Sequence, residues 1–426
     1  MALVLDRYKS GLLIAIAFLI ALGLWVSRGA KPLFVVLATL TLVVLLILFT
    51  KLARGVDNKF IFNVAIAALI IRVVVVFALH YTNLSHEADA LNYHSEAMRI
   101  SANWIRLMPF EQAMSSAYGY IYFLSFLYSG FVPVSLIPKL VNCFVGVACG
   151  LYVYKIAYLV WEDKKVANIA AVLALFLPGI LAWSTANLKE AWVNLMVLIV
   201  IFDLLRIRKA GVRTGVIIQI VACTAILWTM RFYLALIMLP LIVFTIGVGK
   251  RKSIIYLSIV FILVAYGAIF MLAGRKVQGV TIGYQEIGMR QGALAQLGGS
   301  ATGEEGHIEN FSSALAFLPK GMLYALFAPF PWDKPASALY ALAMPEMFFM
   351  YLLWILIFMG IVKSIRERKK GIEVIMFFAI TTLLLNSMIM GNIGTSYRAR
   401  MPIVLLMLVF AAGVFERGRN KVEASS

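Results

Sequence analysis

The chain has 426 residues, of which 63% are hydrophobic and only 14% charged, whereas soluble domains carry about a quarter of charged residues. That balance excludes a soluble globular enzyme and points to one integral, multi-pass membrane protein whose apolar runs recur from end to end. The net charge of +18 does not mark a nucleic-acid binder, because the basic residues fall in short connections between apolar runs.

In chain order, the first apolar run, 11–27, follows Arg7 and Lys9. The next starts at 33 with no small-residue cleavage site before it, so the first reads as a retained helix rather than a signal peptide. Further spans are expected near 61–79, 137–160, 166–184, 190–205, 214–229, 233–249, 254–273, 343–363, 372–390 and 401–416. With 33–50 they make an all-α, polytopic transmembrane bundle of about twelve spans, both termini on one side.

Arg72 falls in the middle of the third span, too deep to snorkel, and is expected to face a polar partner on a neighbouring span. The first long loop, 80–117, follows and opens on His86-Glu87-Ala88-Asp89. On a helix starting near Ala88, Asp89, Tyr93 and Glu96 or Ala97 share one face. A carboxylate held there beside a hydrophobic wall suits a general base acting on an acceptor hydroxyl. The plainer reading is a solvated acid in a first helical turn, or one paired with Arg99. Glu87 is the closest substitute for Asp89 as the base. His86, Glu87, Asp89 and His94 are ordinary ligand types for a divalent cation, but their spacing matches no metal motif, so no metal site is assigned. Segment 118–131 is apolar and aromatic but short. It reads as an interfacial or re-entrant helix, its tyrosines at headgroup level.

Cys143, Cys149 and Cys223 all lie within expected spans and read as small buried apolar residues. The turn 185–189 ends in Lys189-Glu190, and Glu190 enters the membrane with the sixth span, where an unpaired charge costs a few kcal/mol. Lys189, Arg398 or a substrate is its expected partner, against a snorkelling ion pair as the alternative. Arg231 sits in the short turn between the seventh and eighth spans. The second long loop, 274–342, has a Gly/Ser-rich centre, 297–306, that holds no packed core and suits a loop closing over a site. It resumes as an amphipathic stretch, 311–330, bearing Lys320. The last outer turn carries Arg398 and Arg400, whose guanidinium forks match phosphate oxygens.

Orientation follows from charge. Arg7/Lys9, Lys51/Arg54/Lys59, Lys164/Lys165, the Arg206–Arg213 cluster, Lys250–Lys252, the Lys363–Lys370 cluster and Arg417/Arg419/Lys421 all fall on one, cytoplasmic, face. Both long loops and all four histidines fall on the other.

This arrangement resembles the GT-C membrane glycosyltransferases, the group that includes protein O-mannosyltransferases and the aminoarabinose transferases of lipid A. The resemblance rests on Asp89, Tyr93 and Ala97 in the first outer loop and on the juxtamembrane segment 118–131. Glu190 after a span pair and the long outer loop that follows the seventh span of the module add to it. It covers 61–342, leaving 1–60 as two extra N-terminal spans and 343–426 as C-terminal spans with a basic tail. The extra pair, and Glu where the family commonly has Asp, depart from the pattern. The resemblance implies transfer of a sugar from a polyprenyl-phosphate carrier to a glycan, lipid or protein acceptor on the extracytoplasmic face of a bacterial or archaeal membrane. Asp89 would be the base and Glu190 a second acid orienting the acceptor or a cation. Arg398 and Arg400 would lie near the donor phosphate, with Tyr93, Lys189, Arg231 and Lys320 as lesser substrate contacts. No cofactor is assigned beyond a possible divalent cation. The rival readings are an O-antigen-type polysaccharide polymerase or ligase, which would rely on the outer arginines, and a transporter or flippase, in which Arg72, Lys139 and Lys155 would line a pathway.

Overall fold

The computed structural model describes residues 32–56, 58–82, 88–106, 113, 117–247, 275–277, 280–282, 311–330, 332, 338–388 and 393–416. The spans expected at 11–27 and 254–273, the loop centre 297–306, His86 and Glu87 lie outside them.

Among the described residues the chain is helical, apart from one antiparallel hairpin of β1 (Arg275–Val277) with β2 (Val280–Ile282). In order the helices are α1 (Pro32–Arg54), α2 (Lys59–Tyr81), α3 (Ala88–Ile105), α4 (Tyr118–Gly130), α5 (Leu136–Trp161), α6 (Lys164–Phe176) and α7 (Pro178–Ser184). They continue with α8 (Glu190–Ala210), α9 (Thr214–Gly247), α10 (Phe311–Phe327), α11 (Ala338–Arg366), α12 (Ile372–Met388), α13 (Ile393–Ala399) and α14 (Met401–Gly413). Segments of α2, α5, α9 and α11 are long and apolar enough to cross a membrane, and α6 with α7 can count as a fifth, broken span. The protein is therefore a helical membrane protein.

One expected span differs in form from the simple helix that hydropathy predicts, and two further helices are set by breaks or short length. The run near 166–184 is bent by 56° between α6 and α7. Pro178 has no N–H and bars Leu177 from the helical region, and Leu177 sits at φ −58°, ψ 120°. A straight helix of the 34 residues of α9 would run about 51 Å, well beyond a hydrocarbon core of about 30 Å. It is broken at Arg231 (φ −149°, ψ 79°), where the sequence places a turn. Helix α4 has only 13 residues, about 20 Å, and it is more buried than an interfacial helix. Tyr120, Leu124 and Tyr128 all face the interior.

Helix α5 occupies the centre. Its glycines allow close approach: a Cβ at Gly146 would meet Ser184 of α7, and one at Gly150 would meet Leu175 of α6. Every residue of α14 is buried, and a Cβ on Gly360 of α11 would collide with the Phe410 carbonyl. One continuous core runs from Val56 to Ala412, so the segments on either side of 342 share it.

Charge is sorted to the two ends of this core, and α8 is the ruler. Its first turn carries Glu190 and its last turn Arg208 and Lys209, the arrangement that complements the helix dipole. Those ends stand about 28 Å apart, close to the thickness of a bilayer core. At the Arg208 end lie the pairs Arg208–Glu373, Lys209–Glu162 and Lys369–Glu416. The Glu190 end holds the candidate site.

Candidate functional site

The site starts from the amphipathic α3. Tyr93, Ala97, Ile100 and Ser101 are buried along one stripe while Leu91, Asn92 and Ser95 are exposed, the spacing of a helix lying on an apolar surface. That stripe packs on α4, with the Tyr93 ring edge-on to Tyr120 at 5.8 Å. Asp89 stands one turn before Tyr93, in the first turn of α3. Arg99 pairs with Glu96 at 3.8 Å, and Asp89 instead pairs with Arg398 of α13, Nη1 to Oδ2 2.7 Å. Its side chain is 46% exposed, that of Arg398 only 13%.

The second component is the turn 185–189, whose residues are all buried. A buried turn needs partners for its backbone groups, and Asn142 of α5 supplies them. Its Nδ2 donates to the carbonyls of Ala186 (2.8 Å) and Leu188 (2.9 Å), and its Oδ1 accepts from Trp192 Nε1 at 2.9 Å. Tyr120 Oη donates to Asn187 Oδ1 at 2.9 Å. Tyr120 and Tyr128, expected to wet their hydroxyls at headgroup level, thus turn them inward; Tyr128 Oη meets His94 Nδ1 at 2.8 Å.

The turn delivers Lys189 and Glu190. Glu190 is almost fully buried and pairs with Arg231, at the break in α9, at 2.9 Å. This is a partner that the sequence reading did not name for it. Its Oε2 is buried with no hydrogen bond from any of the described residues. Lys189 Nζ lies 5.8 Å from the centre of the Tyr93 ring. It is within electrostatic reach of Arg231, Glu190, Asp89 and Arg398. Among the described residues, two carboxylates and three cations from four distant segments therefore converge, with one positive charge in excess. Burial, and next Arg231, push the Lys189 ammonium down to about 8. Burial, with Glu190 and Asp89 behind it, raises the Tyr93 phenol, which stays protonated. His94 is pushed down by burial and by Lys139.

The sequence groups Arg398 with Arg400, and the structure separates them. Arg398 Cζ lies 5.4 Å from the centre of the Trp183 ring. Arg400 is fully buried and points to the end of α10, where Nη1 donates to the carbonyls of Leu326 (3.0 Å) and Ala328. Those are carbonyls that a helix end leaves without partners, so Arg400 acts as a cap in this arrangement. Lys320 is on the exposed side of α10. Arg72 finds its polar partners in Ser184 Oγ, at 2.9 Å, and the Ala68 carbonyl. Among the described residues no three His, Cys, Asp or Glu side chains gather as a metal site.

Asn142, Trp183, Glu346 and Tyr397 also support the site, and no sequence motif marks them. Buried Glu346 of α11 accepts from the Gly179 N–H and hydrogen-bonds Tyr397, tying α11 to α7 and α13. The available signal was polarity out of place, a lone Asn or Glu inside an apolar run.

Fold and site together define a helical membrane protein with a half-buried, net-positive cluster of ion pairs at one end of its bundle. No family model, curated protein or solved structure matches the chain.

Proposed function

We propose that the chain is an integral membrane glycosyltransferase that moves a sugar from a polyprenyl-phosphate carrier to an acceptor hydroxyl on the extracytoplasmic side. One observation carries this reading: Asp89, Lys189, Glu190, Arg231 and Arg398 meet at the end of the bundle opposite the basic connections, with cations in excess. A half-exposed carboxylate can accept a proton there, and the surplus positive charge suits a phosphate.

In the transfer, the acceptor oxygen bonds to the anomeric carbon while its proton passes to Asp89. The bond from that carbon to the phosphate oxygen breaks, and its electron pair leaves with the phosphate. An anionic leaving group needs no acid to protonate it, unlike the two-carboxyl chemistry of glycosidases. Arg398 and Lys189 hold the phosphate, and Glu190, fixed by Arg231, orients the acceptor. On this reading the bundle has about twelve spans of GT-C-like arrangement, with both termini cytoplasmic.

Membranes containing the Asp89→Asn variant should transfer label from endogenous lipid-linked sugars about 10²- to 10⁴-fold more slowly than wild type. Retained transfer at normal membrane insertion would remove Asp89 as base. It would favour the polymerase or ligase reading, which draws on the same observation that Arg231 and Arg398 both reach the cluster.

A further inference from the structure

We propose that Asp89 holds the place of the donor phosphate on Arg398 in the resting protein, and that a phosphate ester of a long-chain lipid binds by displacing it. The inference rests on the lipid-linked donor reading above and deepens it.

The two ion pairs of the cluster differ in kind. Glu190 and Arg231 are 4% and 11% exposed, and parting them would strand a buried charge. Asp89 is 46% exposed while Arg398 is 13% exposed. The carboxylate can therefore turn into water at small cost, and the guanidinium cannot follow it. Arg398 is also held from behind. Its Nε donates to the Gly394 carbonyl at 3.4 Å, and its guanidinium lies over Trp183. The neighbouring Tyr397 is pinned to Glu346. When Asp89 leaves, Arg398 stays in position and the local excess of positive charge grows by one. A phosphate, with several oxygens to offer the guanidinium fork, answers that excess better than a single carboxylate does.

The exchange links binding to chemistry. A carboxylate held 2.7 Å from a guanidinium nitrogen has that oxygen engaged and turned away from an acceptor hydroxyl. Asp89 is released to take the acceptor's proton only once the donor occupies Arg398, so the acceptor is activated only when there is a sugar to receive.

Binding of dodecyl phosphate and of inorganic phosphate to the full chain in nanodiscs, measured by calorimetry, tests this. Removing the competing carboxylate, in Asp89→Asn and again in Asp89→Ala, should tighten dodecyl phosphate binding about tenfold. The double variant Asp89→Asn/Arg398→Gln should lose that gain. Equal or weaker binding by both single variants, at unchanged thermal stability, overturns the exchange and leaves the donor reading standing. Saturable binding of dodecyl phosphate by no form of the protein overturns both. A gain with inorganic phosphate alone overturns the assignment to a lipid ester.

Discussion

The charge of Lys189 depends strongly on its surroundings. Its ammonium is pushed from 10.5 to about 8, first by burial and then by Arg231. The folded chain thus gives up this proton before the unfolded chain does. Below about pH 8 native stability bears the full cost of burying the charge, and it recovers that cost as pH rises from about 8 to 10.5. Anion binding has the opposite dependence, since the cluster loses its surplus charge over the same rise. Where dodecyl phosphate is already a dianion, above about pH 7.5, its affinity should weaken as pH rises through about 8, and Lys189→Met should be weaker and flat across the same window. A wild-type profile in Lys189→Met would take Lys189 out of the site. At this scale Asp89, Tyr93, Lys189, Glu190, Arg231 and Arg398 were all legible as chemically suited residues in outer turns. Their pairing was not. Asp89 and Arg398 lie 309 residues apart, and nothing local says that Glu190 meets Arg231 rather than Arg398.

Among the elements, the buried turn 185–189 decides where Lys189 and Glu190 stand, and Asn142 decides the turn. Replacing it with Leu leaves the Ala186 and Leu188 carbonyls and the Trp192 indole N–H without their partners. Each buried group left unpaired costs about 1–3 kcal/mol. Asn142→Leu should therefore unfold at a lower temperature and bind dodecyl phosphate less tightly, because the turn bearing Lys189 shifts. Unchanged unfolding and unchanged binding would mean that the turn holds without it. The start of α3 near Ala88 was legible, since Asp89, Tyr93 and Ala97 recur at the four-residue spacing of one helix face. The break between α6 and α7 was signalled by Pro178 but hidden inside a continuous hydropathic run. The inward turn of Tyr120 and Tyr128 had no local signal. A tyrosine suits both a headgroup and a buried partner, and Asn187 and His94, the partners here, come from other segments.

Over the whole molecule, sorting of charge to two ends of the bundle predicts a two-sided topology. Leu91 on α3 and Val212 just after α8 are both 53% exposed, and the native cysteines Cys143, Cys149 and Cys223 are buried. In intact cells an impermeant maleimide should label Leu91→Cys directly and Val212→Cys only after permeabilisation. Labelling of both from the same side would refute the arrangement.

Local sequence is enough for a helical membrane protein, for the gathering of basic connections at one end of the bundle, and for Tyr93 and Ala97 on one helix face with Asp89. Each of these follows from composition or from short-range periodicity, which the chain carries locally. That Arg398 turns to Asp89 while Arg400, two residues on, turns to the end of α10 comes from packing between distant segments. Two residues along a helix rotate a side chain by about 200°, and α13 and α14 meet at this point. Which of two equal charges reaches the site therefore depends on how α13 and α14 dock against α3, α7 and α10.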